Sequence, residues 1–349
     1  MLCGNKGEWS EVYCFAYLLA TGKLYAADKD LNTVKDVYFP ILKILRENHA
    51  YATCETVKIF YNDTLVKEVG RAEFKRACDI MLEKIPKGSR AFEIKEVEPF
   101  LTDIFCSKLK AASDQKQDIT IQIYDIHTGI SPICGFSIKS YLGARPTLLN
   151  PGDATNFIYE IKNCNDAIMN NVNAINSRSK IIDRINYLYN SDCVLSPEEH
   201  LYSRQFEENL GFVDTSMPKM LSLLTLYSYM HNIHYIPLTV EKIKADNPLM
   251  LPNSNMYEYK FKKLLCAFAL GMTPENKWEG QEDANGGYII VKNDGSVVCY
   301  HIYNRPDFEQ YLYDYSYIER PSTSRYGYAS VYSDNGKYYI KLNLQVRFK

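Results

Sequence analysis

The stretches DITIQIYD (118–125) and CGFSIKS (134–140) alternate apolar and polar residues in the way that is typical of half-buried β-strands. In the second stretch the apolar residues point to one face of the strand, and Ser137 and Lys139 point to the other. A short segment rich in Gly, Ser and Pro separates the two stretches. They therefore predict a β-hairpin that buries one face and presents a lysine beside a hydroxyl group on the other.

An acidic residue, Asp125, ends the first of these strands. We expect the tip of the turn near Ser131, which places Asp125 opposite Ser137 and its carboxylate a few ångströms from the ammonium group of Lys139. Phosphodiester cleavage needs such a set, because carboxylate oxygens bind Mg²⁺ and a nearby lysine polarises the attacking water. Asp125, Ser137 and Lys139 are therefore candidate catalytic residues, with Asp125 as a metal ligand.

The order of these residues is similar to that in PD-(D/E)xK nucleases. There, an aspartate is followed after a short gap by a strand that carries an acidic residue, any residue and a lysine. In this chain Ser137 occupies the second acidic position. Taken alone, the pattern also fits a solvent-facing Ser-x-Lys on an edge strand, so that interpretation stays open.

The first helix offers the charge that Ser137 lacks. Residues 5–20 have helical spacing up to Gly22, and Glu8 and Glu11 share one helical face because they are three residues apart. Asn5 followed by Glu8 also has the spacing of a capping box, in which Glu8 is structural. We therefore expect Glu11 to bind the metal and keep Glu8 as the alternative.

The composition is that of a soluble globular protein, with 46% hydrophobic and 23% charged residues in a chain of 349. No apolar run is long enough for a transmembrane helix, and MLCGNKGEWSE (1–11) lacks the apolar core of a signal peptide. The ten cysteines are widely spaced without a CxxC pair. This pattern disfavours zinc ribbons and favours reduced thiols in a cytoplasm.

Charge is distributed unevenly along the chain. The net charge is −2, which argues against a nonspecific binder of polyanions. Residues 320–349, however, contain six lysines and arginines against one aspartate. This concentration predicts a localised anion-binding surface, although a solvated basic face accounts for it equally well.

The pattern of elements predicts an α/β protein with a mixed sheet flanked by helices. We divide it into a PD-(D/E)xK-like catalytic core (1–162), a mainly helical region (163–272) and a β-rich DNA-recognition region (273–349). Within the first part we expect a helix at 37–47 and a hairpin at 56–69.

The final strand, IKLNLQVRF (340–348), has one apolar face and one polar face. The polar face holds the side-chain types that read base edges in DNA. These residues are Lys341, Asn343, Gln345 and Arg347. Upstream, PSTSR (321–325) adds Ser324 and Arg325 for phosphate or groove contacts. The alternative is a half-buried strand with a solvated face.

Several segments, in order along nearly the whole chain, resemble the HpaII-type family of restriction endonucleases. They are GNKGEWSE (4–11), TGKLYAADKDLN (21–32), GFSIKSYLG (135–143), TLLNPGDATNFIYEI (147–161), GGYIIVKNDGSVVCYHIYNR (286–305), PSTSR (321–325) and IKLNLQVRF (340–348). The resemblance implies a PD-(D/E)xK fold, Mg²⁺ and hydrolysis of double-stranded DNA to 5′-phosphate and 3′-hydroxyl ends. It also implies a CCGG-like target, serine at position 137 as a family habit, and a DNA methyltransferase as genetic partner.

Two other functions remain open at this point. One is a nuclease of the same fold that serves repair or a mobile element, and the other is a noncatalytic sequence-specific DNA-binding protein. Magnesium-dependent cleavage at one duplex sequence separates the restriction enzyme from both. The sequence leaves open whether one subunit or a homodimer acts on each duplex.

Overall fold

The computed structural model of the protein describes residues 1–110, 117–126, 128–323 and 328–349. The expected mixed α/β class is confirmed, since helices and several sheets are present. The strands, numbered in chain order, are β1 (Cys3–Gly4), β2 (Lys23–Ala27), β3 (Thr33–Arg46), β4 (His49–Thr53), β5 (Val57–Tyr61), β6 (Thr64–Val69), β7 (Phe92–Glu93), β8 (Ile119–Ile123), β9 (Ile133–Ser140), β10 (Thr147–Leu149), β11 (Asn156–Lys162), β12 (Val194–Pro197), β13 (Gly287–Val291), β14 (Val297–His301), β15 (Ser316–Glu319), β16 (Val331–Asp334), β17 (Lys337–Asn343) and β18 (Gln345–Phe348). The α-helices are α1 (Lys6–Thr21), α2 (Arg71–Lys84), α3 (Glu98–Asp103), α4 (Asp166–Ala174), α5 (Lys180–Asn190), α6 (Arg204–Val213), α7 (Met217–Met230), α8 (Ile236–Asp246), α9 (Asn255–Leu270) and α10 (Arg305–Tyr315).

The chain divides into two compact units that interleave along the sequence. The first unit comprises residues 1–146, 269–271 and 282–311, and the second comprises 147–268, 272–281 and 312–349. The sequence suggested three contiguous parts instead. The difference arises because β13 pairs in parallel with β9, which brings a late hairpin into the sheet of the N-terminal unit. The functional roles assigned to the three parts stay predictions.

A nine-stranded mixed sheet forms the centre of the first unit. Its order is β2-β14-β13-β9-β8-β3-β4-β5-β6, and β2 also pairs with β3. This additional pairing closes six of the strands into a ring of neighbours. Helices α1 and α2 contribute to the apolar core on one face, where Trp9 and Phe74 lie with Phe136 and Ile138 of β9.

Helix α1 occupies almost the span that the sequence predicted. The Asn5 side chain accepts hydrogen bonds from the backbone of Gly7 and Glu8, and the Glu8 carboxylate accepts one from the Asn5 N–H. This is the capping box that the spacing indicated. Gly22 ends the helix with φ +66°, a conformation that favours glycine. The helix is thus fixed at both ends by local signals.

The expected helix at 37–47 is wrong, because these residues lie in the long strand β3. The segment is rich in β-branched and aromatic side chains, which favour strands, and its neighbours β2, β4 and β8 supply hydrogen-bond partners. The predicted hairpin at 56–69 is confirmed as β5 and β6. Its turn residues Asn62 and Asp63 have φ values of +46° and +60°, as a tight two-residue turn requires.

The second unit contains the helices α4 to α9 and two small sheets. The sheet orders are β12-β11-β17-β16 and β10-β18-β15. The expected helical middle region is confirmed, with one short strand, β12, inside it. Helix α10, which the β-rich reading of the C-terminal part missed, follows β14. No helix in the described ranges is both long and apolar enough to span a membrane.

The last strand of the sequence is divided between the two small sheets. β17 ends at Asn343, β18 begins at Gln345, and Leu344 lies between them. The expected apolar face is confirmed as buried. Its members are Ile340, Leu342, Leu344, Val346 and Phe348. The polar residues therefore divide between two sheets rather than form one continuous reading face.

The assignment of Asn343 to a DNA-facing surface is wrong for this structure. Its side chain is fully buried. Its Nδ2 donates to the carbonyl of Gly152 and to Oδ1 of Asn156, each at 2.8 Å. The backbone carbonyl of Asn343 accepts a hydrogen bond from the Tyr229 hydroxyl. A side chain held in this way has no free amide edge for a base, so Asn343 ties the strand junction to the 152–156 segment.

We predict that Asn343→Ala lowers the free energy of unfolding by about 2 kcal/mol, because it removes both hydrogen bonds that the buried Nδ2 donates, one of them to the buried Asn156 side chain. The half-exposed Gln345 in the next strand is the matched control, and Gln345→Ala should change it by less than about 0.5 kcal/mol. Urea denaturation of both variants measures the difference. Equal stabilities of the two variants would contradict the structural role of Asn343.

Candidate active site

The register of the β8–β9 hairpin differs from the one expected from the sequence. Ile119 pairs with Phe136, and Gln122 pairs with Ile133. This pairing centres the hairpin three or four residues earlier in the chain than Ser131. Asp125 therefore does not lie opposite Ser137, and the expected contact between its carboxylate and Lys139 is wrong.

Asp125 lies instead at the turn end of the hairpin. The residue that faces Ser137 is Asp118, about 20 Å from Asp125 along the extended strand. Its side chain is fully buried, and Thr128 Oγ1 donates to its Oδ2 at 2.6 Å. The Tyr303 hydroxyl also bonds to this carboxylate, which raises the pKa of Tyr303. Burial lowers the pKa of the adjacent His301 to about 4, although the negative charge of Asp125 opposes that shift.

The acidic residue that contacts Ser137 is Asp118, immediately before β8. Its Oδ2 accepts a hydrogen bond from the Ile138 N–H at 2.6 Å and one from the Ser137 hydroxyl at 3.2 Å. Both bonds form because β9 continues past Phe136, the partner of the first residue of β8. Beyond that point the Asp118 carboxylate takes the place of a backbone carbonyl. Ser137 is only 4% exposed, so its hydroxyl is directed into this contact.

Lys139 lies two residues beyond Ser137 on the same face of β9, as the sequence predicted. Phe136 and Ile138 point to the opposite face and belong to the apolar core. The ammonium nitrogen of Lys139 lies 5.8 Å from the centre of the Tyr288 ring, a residue of the neighbouring strand β13. The lysine is half-buried, and the face of the Tyr288 ring stabilises its charge.

Helix α1 brings Glu11 toward the start of β8, where Asp118 lies. Glu11 is half-buried, with its Oε2 shielded from solvent, and Cys14 lies three residues on along the same helical face. Burial raises the pKa of the Cys14 thiol well above its usual range, and Asp118 and Glu11 contribute to the rise. Both carboxylates therefore lie near this thiol. Glu8, by contrast, is engaged in the helix cap.

Sequence reasoning missed Asp118, although the residue was visible in DITIQIYD (118–125). A gap of either size between the aspartate and Ser137 fits the nuclease pattern, so the choice depended on the assumed turn. The preceding residue offers a further indication, since Gln117 packs against Gly135, where a side chain would collide with it. Position 135 thus favours glycine and this register.

Metal-binding groups are sparse in the structure. No cluster of three or more His, Cys, Asp or Glu side chains able to hold a metal ion occurs among residues 1–110, 117–126, 128–323 and 328–349. The arrangement around Asp118 offers carboxylate oxygens from two elements, the start of β8 and helix α1. Such a pair suits a hard cation that fills its remaining positions with water and substrate oxygens.

The residues expected to contact DNA have different environments. Lys341 Nζ lies 4.4 Å from the centre of the Tyr202 ring and 5.8 Å from that of Tyr332. Arg347 Nη1 forms an ion pair with Glu319 at 2.8 Å. Gln345 is half-buried. Ser324 and Arg325 lie outside the described residues.

Comparison with known proteins gives the family. The model of the HpaII restriction endonuclease family matches residues 5–348. The chain is 39% identical to the type II restriction enzyme HpaII of Haemophilus parainfluenzae over 357 aligned positions, which cover 99% of this chain and 98% of that protein. No match to a solved structure was found. The chain therefore belongs to the HpaII restriction endonuclease family.

Proposed function

We propose that this protein is a type II restriction endonuclease that cuts both strands of DNA at a short sequence, CCGG-like as the family resemblance implies. The products are 5′-phosphate and 3′-hydroxyl ends. The observation that carries the proposal is the contact of the Asp118 carboxylate with the Ser137 hydroxyl and the Ile138 N–H. Ser137 lies two residues before Lys139 on the same strand face. The chain also matches the family along nearly its whole length.

In this proposal Asp118 replaces Asp125 as the acidic residue of a PD-(D/E)xK-type site. The two hydrogen bonds that Asp118 accepts both use Oδ2, and in the described part of the chain no donor contacts Oδ1. Oδ1 is therefore left to bind a cation. Asp125 then serves to hold the turn of the hairpin through Thr128 and Tyr303.

The cofactor of the proposed reaction is Mg²⁺, held by Asp118 and Glu11. These residues fit the ion, because Mg²⁺ is usually bound through one or two carboxylates and completes its shell with water and phosphate oxygens. When bound, the cation supplies positive charge that offsets the charge developing on the scissile phosphate. Glu8 is less suited to this role, because its carboxylate caps α1.

Lys139 acts on the attacking water and on the scissile phosphate. Its ammonium group donates hydrogen bonds that orient the water and stabilise negative charge on the phosphate oxygens. Lys139 is half-buried beside the Tyr288 ring, which reduces solvent screening of this charge. Ser137 acts through Asp118, whose position it fixes.

The retained acid and lysine favour a nuclease over a noncatalytic DNA-binding protein. A noncatalytic protein has no need for a carboxylate held against Ser137, two residues before a lysine on the same strand face. The family match also favours a restriction enzyme over a repair nuclease. A DNA methyltransferase is the genetic partner we expect, since host sites need protection from cleavage.

We assign Lys341, Gln345 and Arg347 to DNA contacts, together with Ser324 and Arg325. Lysine and arginine bind guanine through O6 and N7, so Lys341 or Arg347 reads guanine in a CCGG-like site. The tyrosine rings around Lys341 restrict its side chain in the free protein, which lowers the entropy lost on binding.

We predict that Asp118→Asn and Lys139→Ala each slow cleavage of cognate DNA at least about a hundredfold while specific binding persists. Asp125→Asn is the matched control and should cleave at nearly the native rate, because its amide still fills the buried turn. Single-turnover cleavage with Mg²⁺ and binding without it measure both properties. A folded but inactive Asp125→Asn beside an active Asp118→Asn would reverse the assignment.

In the first helix we predict that Glu11→Gln costs far more activity than Glu8→Gln. The first change removes a proposed metal charge, whereas the second leaves an amide that still accepts the Asn5 N–H. Cleavage rates over a range of Mg²⁺ concentrations measure the effect, and Glu11→Gln should need more Mg²⁺. An inactive Glu8→Gln with an active Glu11→Gln would exclude Glu11 as the ligand.

For recognition we predict that Lys341→Ala reduces discrimination against a substituted guanine by ~1–3 kcal/mol. Lys337, four residues earlier on the same strand and paired with Glu160, is the control, and Lys337→Ala should leave discrimination unchanged. Binding to the cognate site and to single-base variants at two salt concentrations measures both. If Lys341→Ala discriminates between these sites as well as the native protein does, Lys341 does not read a base and the assignment is wrong.

A further inference from the structure

Two of the cysteines, Cys164 and Cys193, lie near each other where strand β11 ends and strand β12 begins. The two strands pair antiparallel, and their last pair joins Lys162 to Val194. Asn163 follows β11 and Cys193 precedes β12, so these two residues lie across from each other. Cys164 follows directly.

The chain turns sharply on both sides of this point. Asn163 has φ +61° and Asp192 has φ +58°, and Asn163 Nδ2 donates to the Asp192 carbonyl at 3.1 Å. The Cys193 thiol donates to the carbonyl of Asn163 at 3.4 Å, which places its sulfur beside the peptide that enters Cys164. Cys193 is also among the groups that raise the pKa of Cys164, so the two thiols lie near each other.

The two thiols differ in their access to solvent. Cys164 is half-buried, whereas Cys193 is only 2% exposed. Another neighbouring pair, Cys14 and Cys78, is buried at both positions. A small reagent can therefore reach Cys164, and the Cys193 thiol lies beside the peptide that precedes it.

We propose that Cys164 and Cys193 form a reversible oxidation site at which a low-molecular-weight disulfide converts the two thiols to an intramolecular disulfide. The Cys164 thiolate attacks one sulfur of the reagent, forms a mixed disulfide and releases one thiolate. Cys193 then loses its proton and attacks the Cys164 sulfur, which releases the second thiolate. Two cysteine thiols are oxidised and one reagent disulfide is reduced to two thiols.

The environment sets the pH dependence of the first step. Burial and the neighbouring Cys193 raise the pKa of Cys164 to about 11. Because the thiolate is the nucleophile, the rate should keep rising between pH 8 and pH 10, whereas an ordinary thiol with a pKa of about 8.5 levels off in that range. The bond would tie together the ends of the segment that contains α4 and α5.

The test treats the native protein with oxidised glutathione at several pH values, blocks the remaining thiols by alkylation and maps disulfides by mass spectrometry. We expect a Cys164–Cys193 cross-link that reducing agent reverses, and a higher midpoint of thermal unfolding in the oxidised protein. In Cys193→Ser, glutathione should accumulate on Cys164. In Cys164→Ser, Cys193 should remain unmodified because it is buried.

Several results would overturn the proposal. One is a native protein in which the exposed Cys3 and Cys54 acquire glutathione while Cys164 does not react. Another is a mixed disulfide on Cys164 that never proceeds to the cross-link. A third is a cross-linked protein that unfolds at a lower temperature than the reduced protein. This result would show that the disulfide strains the turn, whereas the proposal requires that the turn accommodates it.

Discussion

The hydrogen bond from the Ile138 N–H to Oδ2 of Asp118 determines which acid belongs with Lys139. The pairing of β8 with β9 ends just before this point, so the Ile138 N–H has no carbonyl partner from β8 and the carboxylate satisfies it. The same register keeps Ile138 in the core and Lys139 on the other face. A shift of one residue would exchange the two faces and bury the lysine in the apolar core.

The parts of the fold that were predictable are those encoded by neighbouring residues. Helix α1 carries its own start at Asn5 and its own end at Gly22, and Asn62 and Asp63 encode the turn of the β5–β6 hairpin. The alternation in the last strand identified its buried face for the same reason. In each case the residues that decide the structure lie within a few positions of it, so no knowledge of distant partners was needed.

The errors share a dependence on distant partners. Residues 37–47 have apolar spacing that suits a helix, but pairing with β2, β4 and β8 and a high content of β-branched and aromatic side chains make residues 37–46 part of a strand. The face shared by Ser137 and Lys139 was predictable, but the acid opposite them depended on the position of a turn that the alternation does not fix. Asn343 looked like a surface residue because its partners, Gly152 and Asn156, are almost two hundred positions away.

Serine at position 137 keeps a second negative charge away from the Asp118 carboxylate. The site is 4% exposed, so a second carboxylate there would place two like charges together with little solvent between them and would favour protonation of one of them. The serine hydroxyl donates to Asp118 instead and adds no charge. Under the proposed assignment, the second negative charge for the cation comes from Glu11 on helix α1, an element separate from the strand pair that holds Asp118. The acidic position of the strand can then be neutral without loss of the charge that the cation requires.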